Sequence, residues 1–289
     1  MRLEIIIATT GRADILVEML AWLERQHRLP DAVTVVGAEA TDLPEACPSA
    51  FPVECIIAKK GSCSQRNAAL DLVAGRADVI AFFDDDFFPA DDYLVELERL
   101  FTGQSDLVGV TGELLADGAH TGALSLEEAQ LLLDQCAPPS TPRNADCNWL
   151  YGCNMAVRAS AVQDLRFDEN LPLYGWQEDV DFSSLLLRKG ALLRTNRLTG
   201  VHLGTRRGRT SGLRFGYSQV ANVLYLRRKG TIRLAHGWRL MLGNIAANLV
   251  GSLRSSPEID RRGRLRGNAM AIADTLRGRL NPTRIVALQ

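Results

Sequence analysis

Three consecutive aspartates, Asp84-Asp85-Asp86, follow directly on the apolar run Val79 to Phe83. Like charges at adjacent positions repel, and folding alone gives no reason to gather them, so something cationic should offset them. Carboxylate oxygens suit hard divalent ions such as Mg2+ or Mn2+, whose coordination is commonly completed by the phosphates of a substrate. In an extended segment Asp84 and Asp86 point to one side and Asp85 to the other, so the outer two can converge on one metal-nucleotide. A helix-capping cluster ahead of Pro89 is the simpler alternative, but a cap needs one carboxylate rather than three.

The surrounding pattern supplies elements to carry this triad. Leu3 to Ala8 is an apolar, β-branched run, interrupted only by Glu4 and stopped by Thr9-Thr10-Gly11-Arg12, which predicts a strand buried on both faces. Asp14 to Gln26, Ser64 to Val73 and Asp91 to Phe101 repeat apolar residues at helical spacing, and Ala32 to Val36, Val53 to Ala58, Val79 to Phe83 and Asp106 to Thr111 read as strands. Alternation at this spacing predicts an α/β fold with a mainly parallel sheet and helices on both faces, its ligands bound beyond the carboxyl ends of the strands. Ser125 to Gln135 and Glu178 to Lys189 read as further helices, while Ala137 to Asp146 is too rich in proline and polar residues for an element and reads as a loop.

The net charge of -1 over 289 residues conceals a division of the chain. Residues 1–205 carry 16 Lys and Arg against 31 Asp and Glu, whereas residues 206–289 carry 17 against 3. An acidic body of residues 1–205 and a basic helical region of residues 206–289 follow, the latter suited to an anionic partner. Leu213 to Arg228 and Thr231 to Leu253 read as its helices, with Arg227-Arg228-Lys229, Arg233, Arg239, Arg254, Arg261-Arg262, Arg264 and Arg266 around moderately apolar stretches. The least polar stretch, Leu240 to Leu253, is shorter than the roughly 20 residues that a membrane span needs. Six scattered cysteines, without a Cys-x-x-Cys pair or a signal peptide, read as reduced cytosolic thiols.

Four segments in order give the chain a family resemblance. The first strand with Thr9-Thr10-Gly11-Arg12, then Gly61-Ser62 with Gln65-Arg66-Asn67, then Phe82-Phe83-Asp84-Asp85-Asp86 and Pro89, and lastly Gly175-Trp176-Gln177-Glu178-Asp179-Val180-Asp181-Phe182 resemble the family 2 glycosyltransferases with the GT-A fold. The resemblance covers roughly residues 1–205. It implies a catalytic domain whose nucleotide-sugar part spans about residues 1–115 and whose acceptor part spans about 116–205. By resemblance Thr9, Thr10 and Arg12 line the nucleotide, and Arg66 and Asn67 match an Arg-Asn pair at a helix N-terminus, where an anion is favoured. Asp84 matches the partner of the nucleoside and Asp86 the metal ligand of a DXD segment, with Asp85 counted among the donor-side residues. Gly152 and Asn154 match a segment near the donor sugar. His202 falls where a third, imidazole ligand to Mn2+ or Mg2+ is common, and Arg206 begins an arginine-rich loop that could close over the diphosphate.

On the acceptor side, the resemblance makes Asp179 the base that takes the proton of an attacking sugar hydroxyl, with Glu178 orienting and Trp176 offering a flat apolar face. First-turn residues complementing a helix dipole are the plainer reading of both acids, and Asp181 stays outside the catalytic set. The implied reaction is inverting transfer of a single sugar from a nucleotide-diphosphate sugar to a glycan or polyprenyl-diphosphate-linked hydroxyl, in cell-surface or exopolysaccharide biosynthesis. The implied location is the cytoplasm, with peripheral contact to an anionic membrane at its inner face and no nucleic-acid partner. Two departures bear on this. The loop after the second strand offers only Glu39, with Asp42 beyond, to a base, and the Gln-x-x-Arg-Trp motif of long processive members is missing. A nucleotidyltransferase would want lysine between Thr9 and Arg12, a nicotinamide enzyme a Gly-x-Gly-x-x-Gly turn, and a non-catalytic binding module has no use for both Asp86 and Asp179.

Overall fold

The computed structural model describes residues 1–47, 50–205, 207, 210–253 and 259–288. The chain forms two compact units. The first comprises Met1–Lys60, Ser64–Arg166 and Leu185–Gly208, and the second Gly61–Cys63, Phe167–Ser184 and Arg209–Gln289.

The first unit is built on one mixed sheet. Strand β1 (Leu3–Ala8) pairs in parallel with β2 (Ala32–Gly37) and β4 (Val79–Asp84), and β2 pairs in parallel with β3 (Val53–Ile57). This is the doubly connected parallel arrangement that the alternating pattern predicts, with α1 (Ala13–Leu23) and α2 (Ser62–Val73) as crossovers. Beyond β4 the direction changes. The antiparallel strand β8 (Asn154–Arg158) joins β4 to β6 (Leu107–Asp117), and β9 (Ala191–His202) then runs parallel to β6. Two short strands, β5 (Phe87–Pro89) and β7 (Asn144–Asp146), pair antiparallel to β9.

The largely apolar character of β1 is explained by burial on both sides, its one charged residue, Glu4, being buried against Arg2 and Arg76. Leu3, Ile5 and Ile7 join one cluster with Leu16, Met19, Leu20 and Leu23 of α1 and with Leu94, Leu97 and Phe101 of α3 (Tyr93–Gly103), while Ile6 is equally buried opposite. Burying each such side chain stabilises the fold by about 1.5–3 kcal/mol. One element differs from the sequence expectation: Asn144 to Asp146, within the expected loop, adds β7. It depends on pairing with the distant strand β9, which local composition does not report.

The end of β9 is positioned by close backbone contact. Strand β6 runs straight into the short helix α4 (Gly118–Thr121), and a Cβ on Gly118 would lie 2.0 Å from the Leu203 carbonyl oxygen. Gly204 meets this turn from the other side with φ of +65°. Helix α5 (Leu126–Asp134) then begins with a capping box of Ser125 and Glu128.

The second unit contains α6 (Glu178–Leu186) as far as Ser184, and three long helices: α7 (Gly212–Lys229), α8 (Leu234–Ser252) and α9 (Arg261–Leu276). Tyr217, Val220, Ala221 and Val223 of α7 pack with Met241 of α8 and Ala271 of α9. Gly267 of α9 lets the backbones of α7 and α9 approach, since a Cβ there would sit 2.1 Å from the Leu213 carbonyl oxygen.

The contact at Gly118 yields a test. Gly118→Ala is expected to lower stability by about 1–3 kcal/mol through overpacking. Gly75→Ala, which meets nothing within 4 Å, is expected to change it by less than about 1 kcal/mol. Urea unfolding of both variants checks this; equal midpoints would show that the α4 turn tolerates a side chain.

Candidate active site

Strand β4 delivers the aspartate triad to the carboxyl edge of the sheet, where three loops of the first unit converge on it. Asp85 is fully buried. Its Oδ2 accepts from the Thr9 hydroxyl at 2.7 Å, and its Oδ1 lies 3.2 Å from Arg12. Asp85 and Thr9, both counted on the donor side by resemblance, are thus turned toward each other. Arg12 also reaches Asp86 at 3.2 Å. Thr10 bonds the Thr9 carbonyl, and Gln65 holds the same loop by donating to the carbonyls of Thr9 and Val36. Asp42 fixes it further by accepting from the backbone N–H groups of Gly11, Ala38 and Glu39, so this carboxylate serves the loop itself.

Arg66 is buried at the start of α2 and donates to Asp84 at 3.0 Å and to the Gly152 carbonyl at 2.8 Å, while Asn67 is buried beside it in the helix. Arg66 therefore ties two expected donor-side segments together. Asn154 is fully buried in β8, and its Oδ1 accepts from the Thr111 hydroxyl. Arg206 and Arg209 lie outside the described residues. Arg207 pairs with Asp14 at 2.7 Å.

His202 completes the cluster. It stands opposite Phe87 in the β5–β9 ladder and opposite Asp117 in the β6–β9 ladder, at the end of β9. Its Nε2 is 3.2 Å from Asp86 and 3.8 Å from Asp84. Its Nδ1 is 2.9 Å from Asp117, which also accepts from the Tyr151 hydroxyl at 2.8 Å. Neither Asp117 nor Tyr151 stands out in the sequence, because each gains its place only through the pairing of β6 with β9 and the turn before β8. A carboxylate on the outer nitrogen fixes the ring and leaves Nε2 for whatever lies between the acids.

The charges respond to this crowding. Burial raises the Asp86 carboxyl, but His202, Arg12 and the Thr205 N–H outweigh it and hold the group well below the usual carboxylate range. Burial opposes charge on His202 as well, yet Asp117 and Asp86 push the imidazole up to about 10. Asp85 is pushed up to about 7, by burial first, with Arg12 acting against it.

Ligand atoms of Asp84, Asp86 and His202 all lie within 4.8 Å of one another. Asp86 Oδ1 is buried and makes no well-aligned hydrogen bond among the described residues, with His202 Nε2 lying 3.2 Å away, so an acceptor and an imidazole nitrogen face each other where the three groups meet. Two carboxylates and an imidazole form a donor set that suits Mn2+ or a similar divalent ion, and the residues fit such an ion. The structure groups Asp84 with Asp86 and His202; the extended spacing of the two acids points the same way, while the resemblance gives Asp84 to the nucleoside.

In the second unit, the segment before α6 is held in an unusual backbone. Leu173 and Gln177 have φ of 61° and 72°, and Gly175 between them has 63°. Left-handed conformation at the two non-glycine positions costs about 1–2 kcal/mol each. The surrounding structure imposes it: Ser62 donates to the Leu173 carbonyl, Glu178 N–H to Gly175, and the Asn222 side chain to the Trp176 carbonyl. Trp176 packs edge-on to Phe215. Glu178 is buried, Asp179 is half-buried with Oδ1 accepting from the N–H of Val180, and Asp181 is locked between Lys229 at 2.7 Å and the Thr231 hydroxyl at 2.6 Å. That ion pair explains Asp181 as a structural residue.

The fold was compared with solved structures. TarS of S. aureus (residues 1–349) in complex with UDP-GlcNAc matches with a TM-score of 0.55 at 13% identity, covering 98% of this chain and 90% of that one. A second structure of S. aureus TarS (residues 1–349) gives 0.51 at 14%, over 89% and 76%. Mannosyltransferase PcManGT from Pyrobaculum calidifontis, in complex with GDP-Man and Mn2+, gives 0.54 at 15%, over 99% and 85%. No protein-family model and no curated protein matches the sequence. The chain has the GT-A-type glycosyltransferase fold.

His202 supplies the test of the cluster. Its folded-state value of about 10 exceeds its ordinary 6.5, so its charged form stabilises the chain fully below about pH 6.5, and this contribution disappears as pH rises through 10. The urea midpoint of chelator-treated protein is expected to fall over that window, and to fall less in His202→Gln. Identical pH profiles for the two proteins would assign the fall to other groups.

Proposed function

We propose that this protein is an inverting, metal-dependent glycosyltransferase that moves one sugar from a nucleotide-diphosphate sugar to a hydroxyl of a glycan or a polyprenyl-diphosphate-linked acceptor, in cell-surface or exopolysaccharide biosynthesis. The observation that carries the reading is the Asp84, Asp86 and His202 cluster at the end of β4 in a GT-A-type fold. Neighbours of that fold hold UDP-GlcNAc in one case and GDP-Man with Mn2+ in another, which supports a nucleotide-sugar donor and a divalent ion here.

In this reading Asp84, Asp86 and His202 hold Mn2+ or Mg2+, which supplies Lewis-acid neutralisation of the charge on the leaving diphosphate. Arg12 and Arg66 keep the acids in place, and Thr10, Asn67, Gly152, Asn154, Thr9 and Asp85 shape the donor pocket. Asp179 takes the proton of the acceptor hydroxyl as that oxygen attacks the anomeric carbon, and direct attack with a single base inverts the configuration there. Glu178 and Trp176 orient the acceptor. The second unit, basic through its C-terminal region, meets an anionic membrane surface peripherally on the cytoplasmic side.

A panel of nucleotide sugars, scored for Mn2+-dependent hydrolysis and for protection against thermal unfolding, tests the reading. Asp86→Ala is expected to lose metal-dependent donor binding. Asp179→Asn is expected to keep donor binding while transfer drops roughly 10²–10⁴-fold. Full transfer by the Asn variant removes Asp179 as the base, and no response to any nucleotide sugar removes the reading as a whole.

A further inference from the structure

Helix α8 is amphipathic in the wrong sense for a helix facing water. Its inward side carries Gly237, Met241 and the amides of Asn244 and Asn248. Asn248 donates to Gln219 of α7 at 2.8 Å and to Asn268 of α9 at 2.9 Å, and Gln219 in turn donates to Asn244. This buried amide network leaves the helix one orientation, because any rotation would strand several polar groups without partners. The side it turns outward is apolar. Leu234, Trp238, Leu242, Leu249 and Leu253 recur along one face at helical spacing, and they are between 43% and 83% exposed. Arg239 is the only charged residue among the nineteen of α8. Such a stripe of exposed apolar side chains, interrupted at Ile245, which packs against the α7–α9 cluster, marks an interaction surface.

The charge around the stripe selects its occupant. Arg233 lies exposed at the N-cap of α8 and Arg239 in its second turn. Arg262 and Arg266 line a cavity of about 330 Å3 with Ser252 at the other end. Few acids offset these cations. Of the three acidic residues after residue 205, Asp260 is engaged in capping α9 and Asp274 in bonds to Tyr217 and Arg284. A second copy of the chain seated on the stripe would bring two strongly positive regions together. No helix of the described residues is long and apolar enough to cross a membrane.

We infer that α8 lies in the plane of an anionic bilayer surface, its Leu and Trp stripe in the boundary between headgroups and acyl chains and its flanking arginines on lipid phosphates. The inference rests on the membrane contact in the functional reading and gives that contact a specific surface. Binding is measured on the full chain without donor or acceptor, so its failure leaves sugar transfer untouched, and a failure of transfer leaves it standing.

Flotation with phosphatidylglycerol-containing vesicles, against phosphatidylcholine alone, is the test. The protein is expected to float with the anionic vesicles only, and to be released by high salt. Removing Arg233 or Arg239 is expected to weaken binding about fivefold each. Leu242→Glu with Leu249→Glu should abolish binding while leaving the circular dichroism spectrum and thermal midpoint unchanged, since both side chains are exposed. Independently of any folding change, lipids brominated on the acyl chain should quench part of the tryptophan emission of the wild type, and Trp238→Phe should remove that part. Wild-type protein that ignores anionic vesicles, binding that survives the double Glu variant, or a dimer that this variant splits in the absence of vesicle binding would each overturn the inference.

Discussion

Adjacent like charges at the end of a buried strand dominate the first unit. Asp84, Asp85 and Asp86 can coexist there only because each meets cations or donors: Arg66 for Asp84, Thr9 for Asp85, Thr205 and His202 for Asp86, with Arg12 shared by the last two. A buried carboxylate deprived of such partners would cost several kcal/mol. The loops after β1 and β9 and the start of α2 are therefore drawn to one point by electrostatics as much as by packing. The parallel strands place that point, since β1 and β4 run side by side in register and end together at Ala8 and Asp84.

The same crowding gives the cluster its chemical character. With Asp117 and Tyr151 behind it, the imidazole of His202 is held in one orientation, and the nitrogen it turns to the acids is the one that a metal ion would use. The carboxylates of Asp117 and Asp86 also favour the protonated form of the ring, against the cost of its burial.

Different physics governs the second unit. Its helices close on a row of amides, the buried Gln219, Asn248 and Asn268 and the half-buried Asn244, in place of a purely apolar seam. Amide partners specify register and rotation more strictly than leucines do, at some loss in stability. That strictness keeps the apolar face of α8 outside. In the segment before α6, left-handed Leu173 and Gln177 likewise persist only because their neighbours bond the backbone from several directions.

Much of this was legible in the chain itself. Apolar runs and helical spacing mark β1, β2, β4, α1 and α3 because each pattern is local and set by burial. The triad declares itself by repulsion that needs an answer. The arginines that answer it, the place of His202 beside Asp84 and Asp86, and the support of Asp117 and Tyr151 come from contacts between segments distant in the chain, which no local pattern encodes. Charge counting marks residues 206–289 as basic but cannot tell the inner from the outer face of α8, since asparagine and leucine exchange their usual places there. Sequence alone determines which groups need partners. Tertiary structure decides which partners they get, because pairing strengths depend on distance, and distance is set by the fold.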